Sequence, residues 1–262
     1  MKKKILFFGY GDLGSRLEYI SKNDLLITAI SRSHEALKNA GFPISFDWKE
    51  HHSESIQLAT DYDGLIITLT PESSSRKGYQ AAYIDGLRAI LRILSKINFK
   101  KILFISSTRV YGKHHIGEIT EETSAQPDDF RGEIILESEK IIQKHFKHDH
   151  LLIARLSGLY DEDATDYLAS LKEGYNRDKI ILPSKSSNRI SRQKVVKIIR
   201  KYFLNSVSSG ILNVSEPTIE YKERFMSLYP DLNFLDYFIE PSNFKIFNLT
   251  KFNNSKLLED IY

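Results

Sequence analysis

The feature that most constrains this chain is a glycine-rich turn near its start, lying between an apolar run and a helical pattern. The run Lys4–Phe8 has the composition of a buried strand, and Leu13–Ser21 repeats apolar residues at helical spacing. The turn between them reads Gly-Tyr-Gly-Asp-Leu-Gly over residues 9–14, which fits the pattern G-x-G-x-x-G. In this strand–turn–helix context the pattern is typical of a loop that receives a pyrophosphate.

Each glycine of the turn has its own task in such a loop. Gly9 makes the tight turn, Gly11 lets a pyrophosphate approach the backbone, and Gly14 lets the helix pack on the strand. The free N–H groups at the start of the helix then receive the anion. The alternative is a glycine-rich turn without a ligand. The sequence predicts a dinucleotide-binding loop made of Gly9, Tyr10, Gly11, Asp12, Leu13 and Gly14.

Strand-like and helix-like segments alternate through the first 160 residues. Strands are predicted at Lys4–Phe8, Leu25–Ile30, Ile44–Phe46, Gly64–Thr70, Lys101–Ser106 and Leu151–Arg155. Helices are predicted at Leu13–Ser21, His34–Asn39, Gln80–Lys96 and Ile134–Phe146. Strands that are apolar throughout are buried on both faces, as they are in parallel sheets, and the alternation implies βαβ units. We therefore predict an α/β fold, a doubly wound parallel sheet of the Rossmann type.

The alternation ends near residue 161. Helical patterns are predicted at Tyr167–Lys172, Gln193–Phe203, Tyr221–Leu228 and Ser255–Ile261, with a strand at Ile211–Val214. These segments are too few for a second complete sheet. We predict that residues 1–160 form the dinucleotide-binding domain. Residues 161–262 are predicted to form a small C-terminal α+β substrate lobe, interleaved with it and covering its open edge.

Composition limits the kind of protein further. The 262 residues are 41% hydrophobic and 27% charged, which is ordinary for a globular domain, and the net charge of +3 is too small to indicate a nucleic-acid or membrane partner. Cysteine is absent, which excludes disulfides and thiol chemistry, and no metal site is expected. The basic start lacks the apolar core of a signal peptide, so we expect a cytoplasmic protein.

The end of the second predicted strand bears on which dinucleotide is bound. An acidic residue there would hydrogen-bond the ribose 2′-hydroxyl of NAD, whereas this chain has Ser31, Arg32 and Ser33. A guanidinium offers paired donors that suit a 2′-phosphate. The sequence therefore favours NADP over NAD, although Arg32 could also be a solvated loop charge.

Several longer motifs carry a resemblance to a known family. The segment 106–112 reads Ser-Ser-Thr-Arg-Val-Tyr-Gly after the apolar Lys101–Ile105, and Ile153–Tyr160 and Ile211–Ser215 are further matches. With the glycine turn, these segments resemble the extended short-chain dehydrogenases/reductases, which include nucleotide-sugar epimerases and dehydratases. The chain is most similar to the atypical branch of small bacterial proteins of the NAD-dependent epimerase/dehydratase-like type.

The resemblance implies roles for individual residues. Ser107 would hydrogen-bond the reacting carbonyl or hydroxyl, and the implied substrate-facing residues are Ser107, Thr108, Tyr111 and Arg189. The cofactor-contacting set adds Asp47, Trp48, Thr70, Pro71, Ser106, Arg155, Leu156 and Ser157 to the residues named above. Members of the family often pair as homodimers through the two helices predicted at Gln80–Lys96 and Ile134–Phe146.

The chain departs from the family at the acid/base pair. Family members have Tyr-x-x-x-Lys, in which the ammonium lowers the pKa of the tyrosine that exchanges the proton. Aligned on Glu139, the tyrosine position is Arg131 and the lysine position is Ile135. Neither side chain can perform that chemistry. Ser191 and Lys194 also stand where the family has His and Asp.

Other residues could replace the missing pair. Glu133 or Glu137 could act if partial burial raised the pKa, although a solvated helix face is the commoner place for such residues. Tyr160 could reach in from the loop after the sixth strand, or simply pack there. His114 and His115 follow the serine motif, and histidine is a residue type that commonly donates protons in catalysis. The predicted catalytic set is Ser107, Tyr160 and Glu133.

The sequence therefore predicts an NAD(P)-dependent oxidoreductase or epimerase-like enzyme that transfers hydride to or from a carbonyl or carbinol carbon. A small molecule, such as a nucleotide sugar, would be its substrate. The alternative is a non-catalytic NADP-binding sensor or scaffold, which the loss of the Tyr/Lys pair favours and the retained serine motif opposes.

Overall fold

A seven-stranded sheet in which every strand is parallel to its neighbours forms the centre of the protein. The structure, a computed structural model, describes residues 1–47, 49, 56–113, 115, 117–146, 150–161, 186–205, 209–217, 219–220, 245–254 and 257. The described strands are β1 (Lys3–Phe8), β2 (Leu25–Ser31), β3 (Phe42–Ser45), β4 (Asp61–Ile67), β5 (Asn98–Ser107), β6 (Gly117–Ile119), β7 (Leu151–Leu156), β8 (Gly158–Tyr160), β9 (Ser186–Ser187), β10 (Arg189–Ser191), β11 (Gly210–Val214), β12 (Ile219–Glu220) and β13 (Lys245–Phe247). The order across the sheet is β3-β2-β1-β4-β5-β7-β11.

Helices connect the strands and cover the sheet. The described helices are α1 (Asp12–Ile20), α2 (His34–Leu37), α3 (Arg76–Gln80), α4 (Leu87–Leu94), α5 (Phe130–His145), α6 (Arg192–Leu204) and α7 (Thr250–Asn254). A π-helical turn, Ala81–Gly86, joins α3 to α4, and a 3-10 turn, Thr108–Tyr111, follows β5. None of the helices in the described ranges is long and apolar enough to cross a bilayer.

The two faces of the sheet each carry an apolar core. Side chains of β1 alternate between them: Ile5 and Phe7 join the core that includes α1 and α6, whereas Leu6 and Phe8 join the core that includes α4 and α5. This alternation is the period-two pattern of a strand buried on both sides. The prediction of a doubly wound α/β fold is confirmed.

Strand order reverses between β1 and β4, because the chain moves outward from β1 through β2 and β3 and then returns to β4 on the other side. In open α/β sheets this reversal leaves a crevice beyond the carboxyl ends of the two strands, where ligands bind. The glycine turn follows directly from β1 and therefore lies at this point.

The second half of the chain adds to the same sheet. Strand β11 pairs with β7 at the sheet edge, and α6 packs beside α1 on one face. Smaller parallel pairs join β10 to β8 and β13 to β6, and β12 pairs antiparallel with β9. The helices predicted at Tyr167–Lys172 and Tyr221–Leu228 lie outside the described residues, and of the helix predicted at Ser255–Ile261 only Leu257 is described. The division of the chain at residue 160 stays a prediction.

Two strands, β4 and β5, differ from the sequence prediction by three residues at one or both ends. Strand β4 begins at Asp61 and ends at Ile67, rather than spanning 64–70, and β5 begins at Asn98 rather than Lys101. Polar residues pair at these amino ends, where Asp61 lies opposite Asn98. Such residues escape a pattern based on apolar runs, since the ends of the strands are exposed to water.

Candidate functional site

A cleft of about 670 Å³ lies at the carboxyl ends of β1, β2 and β4. Its walls come from the glycine turn, from the loops after β2, β3 and β4, and from one residue each of α2 and α4. The lining residues are Phe8, Gly9, Tyr10, Gly11, Asp12, Ile30, Ser31, Arg32, Ser33, Ala36, Phe46, Asp47, Thr68, Leu69, Thr70, Glu72 and Ile90. The cleft therefore lies where the strand order reverses, the position expected for a nucleotide.

Gly9 holds a backbone conformation that other residues avoid. Its φ is +78°, and a β-carbon at this position would lie 1.8 Å from the carbonyl oxygen of Thr68. Thr68 is close because its N–H donates to the Phe8 carbonyl at 2.9 Å and its hydroxyl donates to the Gly9 carbonyl at 2.8 Å. The first glycine of the turn is thus required by the protein itself, whether or not a ligand is bound.

Gly11 has a different function, since the protein leaves room around it. A β-carbon there would have only the Gly9 carbonyl oxygen nearby, at 3.8 Å. Gly11 also lines the cleft and is the N-cap of α1, where it offers no side chain to the N–H groups of the first helical turn. Uncapped N–H groups at a helix start attract an anion, so the residues present fit the pyrophosphate of a dinucleotide.

Tyr10 is 2% exposed, and its side chain makes its contacts within the protein. Its phenol donates to Glu18 at 2.5 Å, and its ring packs edge-on against Phe7. Burial, with the nearby carboxylate, raises the pKa of Tyr10 well above its ordinary range. A β-carbon at Gly14 would lie 2.6 Å from this ring. The third glycine therefore makes space for Tyr10 under α1.

Arg32 lies in the wall of the cleft, where its side chain is engaged by neighbouring protein groups. Its guanidinium pairs with the carboxylate of Glu72 and donates to the Thr70 carbonyl at 3.3 Å. Lys49 approaches the other oxygen of the same carboxylate at 2.7 Å. The pKa of Glu72 is lowered by the hydrogen bond from Lys49 and by the charge of Arg32. The loops after β2, β3 and β4 thus meet through one acidic side chain.

A ring of four charges adjoins the glycine turn. Asp12, in the first turn of α1, pairs with Arg16 at 2.7 Å and with Arg192 at 3.2 Å. Asp161 pairs with the same two arginines, at 2.9 and 2.7 Å. This network connects the glycine-turn end of the cleft to α6 and to the residue that follows β8, so it joins the two halves of the chain.

A second polar cluster lies inside the protein between β5, β7 and α5. Arg155 donates to both carboxylate oxygens of Glu139, at 3.0 and 2.6 Å, and to the phenol of Tyr111 at 2.8 Å. The hydroxyl of Ser106 donates to Glu139, and Tyr111 donates to the Asn213 side chain at 2.9 Å. The side chains of these residues are therefore engaged with one another in the interior.

Ser107 lies at the carboxyl end of β5, in register with Leu156 of β7. Its hydroxyl accepts a hydrogen bond from the N–H of Arg109 at 3.2 Å, which caps the 3-10 turn that begins at Thr108. Both Ser107 and Thr108 are half-buried. They stand at the same edge of the sheet as the cleft, two strands along from β1.

Tyr160 takes part in a small ionic cluster beyond β7. Its phenol donates to one oxygen of Glu216 at 2.7 Å, and the ammonium of Lys194 lies 3.0 Å from the other oxygen. Glu216 is buried. Tyr160 thus belongs to a cluster of a phenol, a carboxylate and an ammonium, whereas the sequence suggested only a tyrosine at this place.

Arg189, which precedes this cluster on β10, is half-buried and has no ion-pair partner in the part of the chain that the structure describes.

Helix α5 has other side chains at the positions where the resembling family has its Tyr/Lys pair. Glu133 is on the surface: its side chain is 52% exposed and pairs with Arg76 at 3.0 Å. Arg131 lies 5.7 Å from the Tyr79 ring centroid, a cation–π contact. Ile135 is 3% exposed and packs in an apolar cluster with Tyr111. No ammonium lies at the lysine position, because that position belongs to the core.

The cleft brings together many of the residues that the sequence indicated. Those lining it are Gly9, Tyr10, Gly11, Asp12, Ser31, Arg32, Ser33, Asp47 and Thr70. Leu13, Gly14, Pro71, Ser106, Arg155, Leu156 and Ser157 do not line it, and Leu156 and Ser157 are buried. Trp48 and His114 lie outside the described residues. Glu72 and Thr68 were missed; their position just beyond β4 was the available signal.

Comparison with protein-family models gives no match, and neither does comparison with curated sequences. Solved structures do match. A protein assigned as an NAD-dependent epimerase/dehydratase from Methylobacillus flagellatus aligns over 100% of this chain and 93% of its own, with a TM-score of 0.73 and 20% identity. The UDP-glucuronic acid 4-epimerase from Bacillus cereus, solved with NAD, aligns over 96% and 90%, with a TM-score of 0.73 and 16% identity. This chain has the fold of the NAD-dependent epimerases and dehydratases.

A third structure extends this likeness. The UDP-N-acetylglucosamine 4-epimerase from Methanobrevibacter ruminantium, in complex with UDP-N-acetylmuramic acid, covers 95% of this chain and 89% of its own, with a TM-score of 0.69 and 18% identity. The epimerase/dehydratase fold predicted from the glycine turn and from the motifs at 101–112, 153–160 and 211–215 is therefore confirmed, and the three alignments cover 95–100% of this chain.

Proposed function

We propose that this protein is a nicotinamide-dinucleotide-dependent enzyme of the epimerase/dehydratase type, acting on a small molecule such as a nucleotide sugar. The observation that carries the proposal is the glycine turn: Gly9 is forced by contact with Thr68, whereas Gly11 is surrounded by space. A protein that needed only a tight turn would gain nothing from the second glycine, since alanine would fit there. That space, at an uncapped helix start, suits a pyrophosphate.

The cofactor proposed is NADP in preference to NAD. Arg32, Ser31 and Ser33 line the end of the cleft beside β2, where the ribose of a bound dinucleotide lies in this fold. When bound, the nicotinamide ring supplies hydride transfer. The residues of the chain hold the dinucleotide, position the substrate carbon and stabilise charge on its oxygen.

Ser107 is the residue proposed to bind the reacting oxygen. Its position at the carboxyl end of β5 places its hydroxyl at the ligand edge of the sheet, and its capping bond to Arg109 uses the oxygen as an acceptor, which leaves the hydroxyl proton to donate. Arg189, which lacks an ion-pair partner among the described residues, is proposed to bind an anionic part of the substrate.

Tyr160 is the proposed proton carrier. Its phenol donates to Glu216, so the phenolic proton already has a hydrogen-bonded acceptor, and Lys194 pairs with the other oxygen of the same carboxylate. Glu133 is kept as a second candidate, although its exposed pairing with Arg76 resembles an ordinary surface ion pair. His115, which is half-buried, is a third candidate.

The alternative function is a dinucleotide-binding sensor without catalysis. The observation that favours it is the apolar environment of Ile135, which leaves no room for a family-type ammonium on α5. Such a protein would bind the cofactor and catalyse no hydride transfer.

The test combines a cofactor titration with turnover of carbonyl compounds and nucleotide sugars, followed by nicotinamide absorbance and by product analysis. We expect NADP binding and turnover that falls at least 100-fold in Ser107→Ala and Tyr160→Phe, with cofactor affinity retained. Matched controls are Ser95→Ala, at an exposed helix end, and Tyr19→Phe, which is largely exposed.

The outcomes separate the two functions. Binding without turnover on any substrate of the panel favours the sensor, and unchanged turnover in Ser107→Ala removes that residue from the reaction. Failure to bind either dinucleotide at millimolar concentration contradicts both functions.

A further inference from the structure

One carboxylate at the mouth of the cleft is held by two cations. Glu72, from the loop after β4, pairs with Arg32 from the loop after β2 and with Lys49 from the loop after β3. The side chains remain partly open to solvent, with 54% of Glu72 and 22% of Arg32 exposed. The carboxylate therefore joins three separate loops and can be reached by a solute.

This contact occupies the place where Arg32 would meet a ligand. Arg32 and Glu72 both line the cleft, and Arg32 follows the strand whose end lies beside the adenosine ribose in this fold. A second carboxylate of the cleft, Asp47, accepts a hydrogen bond from the backbone N–H of Lys49 at 3.0 Å, which places Lys49 at the same end. The anion that Arg32 and Lys49 hold here is supplied by the protein itself.

We propose that Glu72 is an internal substitute for a ligand phosphate and thereby sets the selectivity between 2′-phosphorylated and 2′-hydroxyl dinucleotides. The inference rests on the proposed function, because it assumes that a dinucleotide occupies the cleft. A 2′-phosphate must displace Glu72 from Arg32 in order to bind, whereas a 2′-hydroxyl carries no charge and can bind with the ion pair intact. Glu72 therefore reduces the preference for NADP that Arg32 provides, by weakening NADP binding with little effect on NAD.

The charges give the direction of the effect. With Glu72 ionised, Arg32, Lys49 and Glu72 together carry one net positive charge, and the phosphate competes with a carboxylate that is already in place. Replacing Glu72 by glutamine removes the carboxylate that Arg32 and Lys49 share and raises the net charge of these three side chains from +1 to +2, which favours a dianionic phosphate. Removal of one close charge changes the affinity for an anionic ligand by about tenfold.

The experiment measures dissociation constants of NADP and NAD by calorimetry for the wild-type chain, Glu72→Gln, Arg32→Gln and the double variant. The matched control is Asp63→Asn, which removes a carboxylate paired with Lys100 near the opposite end of β4. We expect Glu72→Gln to tighten NADP binding about tenfold and to change NAD binding less than twofold. In the Arg32→Gln background the same substitution should have little effect, and Asp63→Asn should change neither constant.

Two results would overturn the inference alone: NADP binding that is unchanged or weaker in Glu72→Gln, or an equal gain for NAD, each with dinucleotide binding retained. In the first case Glu72 would serve to orient Arg32. If neither dinucleotide binds to the wild type or to Glu72→Gln at millimolar concentration, the proposed function fails together with the inference. Thermal unfolding of each variant checks that the fold is preserved.

Discussion

Arg155 and Glu139 form a doubly hydrogen-bonded ion pair inside the protein, with side chains 4% and 2% exposed. The pair connects β7 to the middle of α5, and Ser106 adds a further hydrogen bond to Glu139 from β5. Glu139 thus fixes the rotation of α5 against the sheet. Because Arg131 and Ile135 lie eight and four residues before Glu139, the same contact fixes where the family's missing tyrosine and lysine would stand.

Breaking this pair should be costly. Glu139→Gln leaves the guanidinium of Arg155 buried without a counter-charge, so we expect the free energy of unfolding to fall by about 3–5 kcal/mol in urea titrations. Joint replacement by Glu139→Leu and Arg155→Met should cost less than the sum of the single changes, because no unpaired charge remains. The surface pair of Glu35 and Lys38 is the control: Glu35→Gln should cost less than about 1 kcal/mol. Similar losses of unfolding free energy in Glu139→Gln and in the control Glu35→Gln would contradict the burial of the pair.

Alanine substitutions at Gly9 and Gly11 should affect different properties, the first the stability of the fold and the second the affinity for a dinucleotide. Gly9→Ala places a β-carbon against the Thr68 carbonyl at positive φ, so we expect a loss of about 2 kcal/mol or more in the free energy of unfolding. Gly11→Ala meets no close protein atom, so its stability should change by less than about 1 kcal/mol. Its dinucleotide affinity should nonetheless fall at least tenfold, since the methyl group takes the space next to the phosphates. If Gly11→Ala left the dinucleotide affinity unchanged, the result would contradict pyrophosphate binding at this turn.

The cap of α5 should make stability depend on pH. Asp129 accepts from the Gly132 N–H at 2.9 Å and from Arg109, whose hydrogen bonds hold the pKa of Asp129 well below its usual range. A folded-state pKa below the unfolded value of about 3.9 means that the ionised form stabilises the fold above that pH. The stabilisation is lost as the pH falls below about 4.

Asp129→Asn isolates this charge, since asparagine can still cap the helix. We expect the wild type to be more stable by about 1–2 kcal/mol at pH 7, with the difference narrowing toward pH 3 in urea titrations at each pH. A difference that stays constant across this range would assign the effect to packing rather than to the charge.

The sequence predicted the elements whose signals are local. The apolar run of β1 and the spacing of Gly9, Gly11 and Gly14 are readable because strand, turn and helix are adjacent along the chain. The cleft followed from the general rule that ligands bind where the strand order reverses. The loop contacts did not follow, since Glu72, Arg32 and Lys49 come together only when three separate loops are folded.

For the residues that the family resemblance implied at the carboxyl edge of the sheet, the face toward which each side chain points was harder to predict. Ser106 and Arg155 are register partners on neighbouring strands and direct their side chains to Glu139 in the interior. The next residues, Ser107 and Leu156, are also partners and, by the alternation of a strand, belong to the other face. A motif shows which end of a strand a residue occupies, whereas the face depends on exact register, which this sequence alone did not define.

The final prediction concerns restoring the family's pair on α5. Ile135 is 3% exposed among Val110, Tyr111, Ile119 and Phe247, so an ammonium placed there would lose its water without gaining an acidic partner. We expect Ile135→Lys to lower the free energy of unfolding by at least about 3 kcal/mol. Ile135→Leu, which conserves volume, should cost less than about 1.5 kcal/mol. Combining Ile135→Lys with Arg131→Tyr should therefore give no gain in carbonyl reduction, measured by nicotinamide absorbance. A stable double variant with new reductase activity would show that position 135 opens onto the cofactor and that the two substitutions supply a working acid/base pair.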